Sequence, residues 1–100
     1  MKNYFTLADF YKCLNIGHEI EFLFDEDMFF IQPDYTSIKN DSLNQTINDI
    51  RFVLFRCTSW EDNNAEIVFS GTYNEIISFP LKDKMTIKND FDKFQLHCIL

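Results

Sequence analysis

The sequence predicts an α+β domain: a helix, then a small antiparallel sheet of about four strands in a meander, then two C-terminal helices packed on one face of the sheet. Apolar residues first recur with a helical period, alternate with period two from residue 18, and return to helical spacing after residue 72. The chain has 100 residues, of which 46% are hydrophobic and twelve are phenylalanine, which is enough apolar material for a core. We therefore expect a single domain spanning 1–100.

The first helix is predicted at 6–16. Thr6 is a suitable N-cap, and Asp9 three residues later completes a capping-box variant. Gly17 follows at the position where a left-handed C-cap residue is expected. The apolar residues of this segment fall on one helical face, namely Leu7, Phe10, Tyr11 and Leu14.

Alternating segments at 18–24 and 28–32 predict a β-hairpin with an acidic turn, Asp25-Glu26-Asp27, and Pro33 ends its second strand. The run 50–58 is rich in β-branched and aromatic residues, which favours a strand, although a helical stripe also fits it. A fourth strand is predicted at 65–70, broken by Gly71. The polar segment 34–49 predicts a loop whose conformation the sequence leaves open.

Two helices are expected after the sheet. Thr72 and Glu75 form a capping box that opens a short helix, which Pro80 closes. Thr86 is the N-cap of a last helix whose stripe contains Ile87, Phe91, Phe94 and Cys98. We expect the core to form between the sheet residues Phe22, Phe24, Phe52, Leu54, Ile67 and Phe69 and the helix residues Leu7, Phe10, Leu14, Ile76, Phe91 and Phe94.

The chain is acidic, with nine Lys and Arg residues against sixteen Asp and Glu residues and a net charge of −7. Such a surface repels phosphate backbones and anionic lipid headgroups, so neither direct nucleic-acid binding nor membrane binding is predicted. Residues 1–12 contain no uninterrupted apolar run of a signal peptide, and no run reaches the length of a membrane span. We expect a cytoplasmic protein.

Residues that could carry chemistry do not occur in the required patterns. The three cysteines, Cys13, Cys57 and Cys98, lack the spacing of metal ligands and fit reduced thiols of a reducing compartment. His18 and His97 are candidate bases, but no nucleophile motif accompanies either of them.

Binding motifs for ions and phosphates are missing as well. The two glycines lie at predicted element boundaries, which excludes a phosphate-binding loop. An EF-hand loop starting at Asp25 would need Gly and Glu where Phe30 and Thr36 stand, so a solvated turn is expected instead. We therefore predict no catalytic residue, no metal and no cofactor.

One surface is a candidate for binding a protein. The strand phasing places Leu23, Met28, Phe30 and Val68 beside Glu19 and Glu21 on the sheet face assigned to solvent, and an apolar patch with acidic neighbours is typical of protein-binding surfaces. Alternatively, the 34–49 loop or the C-terminal helix covers this face. The candidate interaction residues are Glu19, Glu21, Leu23, Asp25, Glu26, Asp27, Met28, Phe30, Tyr35 and Trp60.

The N-terminal third contains Tyr4-x-Thr6-Leu7-x-Asp9-Phe10, then Gly17-x-Glu19-Ile20-Glu21-Phe22, and then a strand ending in Phe30-Ile31. This pattern resembles a group of small uncharacterised proteins of Gram-positive bacteria. Segments 67–79 and 86–87 match the group loosely, 34–64 does not match, and the acidic turn replaces an expected glycine or asparagine. The resemblance implies a fold and a bacterial setting, without an activity.

Together these observations predict a small acidic, non-enzymatic protein-interaction module of an immunity-type, inhibitory or regulatory kind, whose protein partner is basic. The alternative is a small-ligand binder or enzyme that uses the carboxylates near Glu19 and Glu21, which strand geometry places about 7 Å apart. A homodimer through the open sheet face or a sheet edge also remains open.

Overall fold

The computed structural model describes residues 5–35, 50–60 and 65–100. These residues form two α-helices, seven strands and a short 3₁₀ turn. In chain order they are α1 (Leu7–Asn15), β1 (Ile20–Phe24), β2 (Asp27–Pro33), β3 (Arg51–Cys57), β4 (Glu66–Thr72), α2 (Tyr73–Ile77), β5 (Pro80–Lys82), β6 (Met85–Thr86), the 3₁₀ turn (Phe91–Lys93) and β7 (Phe94–Ile99).

Five strands make one antiparallel sheet in the order β4-β3-β2-β1-β7. The first four strands follow one another as a meander. The chain then leaves the sheet through α2 and the small β5-β6 hairpin, and β7 returns to pair with β1. The hairpin β1-β2 therefore lies inside the sheet, with β3 paired to one of its edges and β7 paired to the other.

The core lies between one face of this sheet and the elements packed on it. Alternate residues of β1, β2 and β3 are fully buried, as period-two geometry requires, and α1 contributes Phe10 and Leu14. The ring of Phe22 stacks on Phe94 at 4.6 Å, and Phe10 meets Phe94 edge-on at 5.3 Å. The buried hydrophobic residues are Phe10, Leu14, Ile20, Phe22, Phe24, Phe29, Ile31, Phe52, Leu54, Tyr73, Ile76, Ile77, Leu81, Ile87 and Phe94.

The predicted pair of C-terminal helices is wrong. The first helix exists, because Thr72 and Glu75 form both hydrogen bonds of a capping box, but it ends at Ile77 and Pro80 begins a strand instead of closing a helix. Thr86 accepts a hydrogen bond from the Asn89 N–H, yet only a turn follows.

Residues 94–99 form a strand rather than the end of a helix. Phe94 is buried opposite Phe24, and Leu96 lies opposite Phe22 in the register with β1. Pairing with β1 satisfies backbone groups along a strand that would otherwise be a sheet edge. The backbone hydrogen bonds of this long-range pairing outweigh the local helical pattern of Phe91 and Phe94. Phe91 is only half-buried.

A β-bulge in β4 makes the predicted faces of Ile67 and Val68 wrong. Leu54 faces Phe69 and Phe55 faces Ile67, so β4 carries one extra residue, Val68, between these pairs. Phe69 packs against the core and stacks on Phe79 at 4.4 Å, whereas Ile67 is 63% exposed on the opposite face, contrary to its predicted core position. Val68, predicted on the solvent face, packs against the core.

The other strand predictions agree with the structure within two residues. The preference for a strand at 50–58 is confirmed by β3. Strand β4 continues through Gly71 to Thr72 instead of breaking there. Residues 36–49 of the predicted loop lie outside the described residues.

The β1-β2 turn has two central residues with positive φ, Asp25 (φ 49°) and Glu26 (φ 73°). Because Phe24 pairs with Asp27, this is a two-residue hairpin turn with the backbone signs of type I′. Within the three described segments, no helix is long and apolar enough to cross a membrane.

Candidate functional site

The sheet face opposite the core, here called the open face, carries the side chains that alternate with the buried ones. These side chains are half-buried in the part of the protein that the structure describes. Strands β1, β2 and β3 contribute Glu21, Leu23, Met28, Phe30, Gln32, Val53, Phe55 and Cys57. Most of these side chains are apolar, so the open face is a hydrophobic surface that neither α1 nor α2 covers.

One row of facing residues crosses all five strands. Strand register aligns Ile67 with Phe55, Phe55 with Phe30, Phe30 with Glu21, and Glu21 with Cys98. Facing side chains on one side of an antiparallel sheet are about 5 Å apart at Cβ. In this transverse row, the Glu21 carboxylate therefore lies directly beside the ring of Phe30, and the ring of Phe55 follows at a centroid distance of 5.9 Å from Phe30.

A shallow groove of about 340 Å³ runs over this row. Its walls combine apolar and polar side chains of β1, β2 and β3 with Trp60 after β3, Ala65 before β4 and Leu100 after β7. The lining residues are Glu21, Phe30, Gln32, Phe55, Cys57, Trp60, Ala65 and Leu100.

Trp60 follows β3 but contacts β7, the outer strand that lies three positions away from β3 in the sheet. Its indole stacks on the imidazole of His97, with ring centroids 4.4 Å apart and planes 12° apart. His97 is the extra residue of a bulge in β7, since Glu21 faces Cys98 and Phe22 faces Leu96. The bulge lets the imidazole point toward Trp60, and the stack joins the end of β3 to the outer strand β7.

Glu19 has its own partner at one end of β1. The Tyr35 hydroxyl donates a hydrogen bond to Glu19 Oε2, and this bond raises the pKa of the Tyr35 phenol, with burial as a smaller cause. The Leu100 N–H donates to the Glu19 carbonyl at 2.8 Å, and Nδ1 of His18 lies 3.0 Å from the Leu100 backbone oxygen. Glu19 does not line the groove, so Glu19 and Glu21 do not form a carboxylate pair there.

The acidic turn is tied to the rest of the chain. Lys82 Nζ lies 3.3 Å from Asp25 Oδ2 and 3.9 Å from Asp27 Oδ2, while Arg56 lies 3.8 Å from Asp27. Hydrogen bonding to Asp25 raises the pKa of Lys82, and its attraction to Asp25 and Asp27 acts in the same direction. The side chains of Asp25 and Asp27 hold the hairpin tip to β5 and are not unpaired acidic groups.

The predicted interaction residues thus divide into two groups. Five share the open face or its groove: Glu21, Leu23, Met28, Phe30 and Trp60. The others lie at the ends of β1, where Glu19 bonds to Tyr35 and where Asp25, Glu26 and Asp27 form the turn. Val68, which phasing placed with the first group, belongs to the core side.

Sequence reasoning missed several groove residues. In a strand at 50–58, Phe52 and Leu54 point to the core, so Phe55 and Cys57 must point to the open face. The strand interpretation would therefore have identified both residues. Ala65 and Leu100 have no local signal, because only the pairing of β4 with β3 and of β7 with β1 brings the residues beside those strands to the groove.

The described side chains offer little for metal or redox chemistry. No group of three His, Cys, Asp or Glu residues within 5–35, 50–60 and 65–100 is arranged to hold a metal ion. The three cysteines form no disulfide, and Cys57 and Cys98 lie on different strands of the open face. The groove instead combines aromatic surface, an amide and one carboxylate, which suits non-covalent binding.

No family model matches the chain, and comparison with curated proteins and with solved structures yields no match either. The resemblance to small Gram-positive proteins therefore stays a prediction.

Proposed function

We propose that this domain is a non-enzymatic protein-interaction module that binds a basic protein partner through the open face, in an immunity-type, inhibitory or regulatory role. The observation that supports this most directly is the transverse row, in which Ile67, Phe55 and Phe30 lead to the carboxylate of Glu21. Protein interfaces combine an apolar, aromatic centre with polar groups at its rim, as this face does.

The charge of the chain favours a basic partner. A net charge of −7 on 100 residues produces a negative potential that accelerates encounter with a positive surface. Asp25 and Asp27 are partly neutralised by Lys82 and Arg56, so the contribution from the open face comes mainly from Glu21.

The sheet edges are less suitable for binding than the face. Both outer strands contain a bulge, at Val68 in β4 and at His97 in β7, and bulges interrupt the regular row of backbone groups that a docking strand requires. A homodimer or a complex formed by edge pairing is therefore disfavoured relative to contact through the face.

Two exposed isoleucines allow a matched test. Ile67 ends the transverse row and is 63% exposed, whereas Ile16 follows α1, is 71% exposed and does not line the groove. Ile67→Lys places a positive charge on the proposed contact face, and Ile16→Lys makes the same chemical change elsewhere. Both variants should fold, because neither side chain is buried.

The measurement is capture of host proteins by the tagged wild-type chain and by each variant, followed by reconstitution with the purified captured protein. We expect Ile67→Lys to lose one reproducible basic protein that wild type and Ile16→Lys retain, and the affinity of the purified pair to fall as salt is raised. Equal capture by all three chains would contradict the proposal.

A further inference from the structure

Among the described residues, Glu21 differs from Asp25 and Asp27 in having no Lys or Arg beside it, and from Glu19 in having no tyrosine hydroxyl bonded to it. Asp25 and Asp27 lie near Lys82, and Glu19 accepts the Tyr35 hydroxyl. Among the residues that the structure describes, no Lys or Arg lies within ion-pairing distance of Glu21. A half-buried carboxylate on an apolar surface is partly desolvated, so a cation from outside the chain would gain more there than at an exposed site.

The aromatic residues beside Glu21 provide a second contribution to cation binding. Phe30 faces Glu21 across β1 and β2, Phe55 follows at a ring-centroid distance of 5.9 Å, and Trp60 lines the same groove. Aromatic faces attract cations, most strongly those of tryptophan, and the attraction increases when water is displaced.

These features favour arginine over lysine. The guanidinium is planar, stacks on aromatic rings, binds a carboxylate through two parallel N–H groups and is more weakly hydrated than an ammonium group. A volume of about 340 Å³ is at the lower end of small-molecule pockets, and it suits one long side chain with its adjoining backbone.

We propose that the groove binds an arginine side chain of the partner, with the guanidinium paired to the Glu21 carboxylate and lying against the rings of Phe30, Phe55 and Trp60. This assignment rests on the proposed function and specifies which partner group the open face recognises. Aromatic and carboxylate contacts to one arginine are also the kind of central contact that dominates binding energy in interfaces.

A capped Gly-Arg-Gly peptide is the probe, and capped Gly-citrulline-Gly is its neutral counterpart of nearly the same shape. Binding is followed by the fluorescence of Trp60, the single tryptophan of the chain, and by amide chemical shifts of the labelled protein. We expect saturable binding of the arginine peptide and binding at least about tenfold weaker for citrulline, since a charge-assisted contact is lost.

Variants locate the site. Glu21→Gln should weaken arginine binding about tenfold while leaving the weak citrulline binding unchanged, and Phe30→Leu should weaken arginine binding without changing the salt dependence. Glu66→Gln is the matched control, because Glu66 is exposed and faces Arg56 in the strand register, and the Arg56 guanidinium lies over Phe29 on the opposite face of the sheet. It should bind arginine like the wild type.

The result separates this assignment from the proposed function. Equal binding of arginine and citrulline, an unchanged Glu21→Gln variant or no saturable binding would overturn the arginine assignment, and loss of the captured protein by Ile67→Lys would still support the proposed function. Arginine binding together with unchanged capture by Ile67→Lys would overturn the proposed function instead.

Discussion

Trp60 stacks face to face on His97 at 4.4 Å, although Trp60 follows β3 and His97 belongs to β7, three positions away in the sheet. Neighbouring strands in a sheet are about 4.8 Å apart, so the backbones of β3 and β7 are separated by roughly 14 Å. The segment after β3 must therefore pass over the open face. Trp60 forms one side of the groove, and its stack on His97 holds the outer strand β7 to the segment that follows β3.

This stack should contribute a measurable coupling energy. We expect a double-mutant cycle with Trp60→Leu and His97→Ala to give a coupling of about 0.5–1.5 kcal/mol in the free energy of unfolding, as for other stacked ring pairs. Urea denaturation of the four proteins provides the values. A cycle with Gln95→Ala, an exposed residue of the same strand, should give no coupling, and equal coupling in both cycles would contradict the stack.

The hairpin β1-β2 and α1 were predictable because their signals are local. Alternation placed Phe22 and Phe24 on the core face and Glu21, Leu23 and Phe30 on the other face, and the structure has the same arrangement. Capping boxes likewise depend on residues three positions apart, so Thr6 with Asp9 and Thr72 with Glu75 could be identified from the sequence alone.

The C-terminal strand could not be predicted in this way. Phe91, Phe94 and Cys98 fit a helical stripe, while the bulge at His97 interrupts the alternation that would have indicated a strand. What decides the structure is pairing with β1, at least 70 positions earlier, which a local pattern does not contain. A second bulge at Val68 made the predicted faces of Ile67 and Val68 wrong for the same physical reason, since one extra residue reverses a period-two pattern, while Phe69 keeps its predicted core position.

Glu26 occupies a hairpin position where glycine or asparagine is normally found. Its φ of 73° brings Cβ close to the backbone, which costs a non-glycine residue about 1 kcal/mol. Glu26→Gly should therefore raise the free energy of unfolding by up to about 1 kcal/mol, measured by urea denaturation. Glu26→Ala removes the same charge but keeps Cβ, so it should give no such gain; stabilisation by both variants would point to charge instead of backbone strain.

Gly71 has no space for a side chain. A Cβ placed there would lie 2.9 Å from Cε2 of Phe69 and 3.0 Å from Oε1 of Glu75, the oxygen that caps α2. Phe69 is held by its stack on Phe79, so it cannot easily move away. We expect Gly71→Ala to lower the free energy of unfolding by about 1–3 kcal/mol.

Two comparisons identify the cause of that loss. Gly17→Ala meets no atom within 4 Å and is strained only by its φ of 95°, so its cost should be about 1 kcal/mol regardless of neighbouring side chains. In a Phe69→Leu background, Gly71→Ala should cost less than in the wild type. An unchanged cost in that background would show that the ring of Phe69 is not the obstacle.

Tyr73 should make the protein sensitive to alkaline pH. The residue is 5% exposed, and burial raises the pKa of Tyr73 from 10.0 to about 12, with the charge of Tyr11 as a smaller cause. Ionisation is therefore easier in the unfolded chain than in the folded one. The stabilisation is complete below pH 10 and is lost as the pH rises toward 12.

At pH 11 this loss amounts to about 1.4 kcal/mol, because one pKa unit corresponds to about that free energy. Tyr73→Phe removes the ionisable group, so its free energy of unfolding should fall less steeply than that of the wild type between pH 9 and pH 11. Tyr11→Phe removes only the smaller cause of the raised Tyr73 pKa, so it should change the wild-type slope much less than Tyr73→Phe does. If Tyr73→Phe keeps the full wild-type slope, the buried phenol is not what limits stability at high pH.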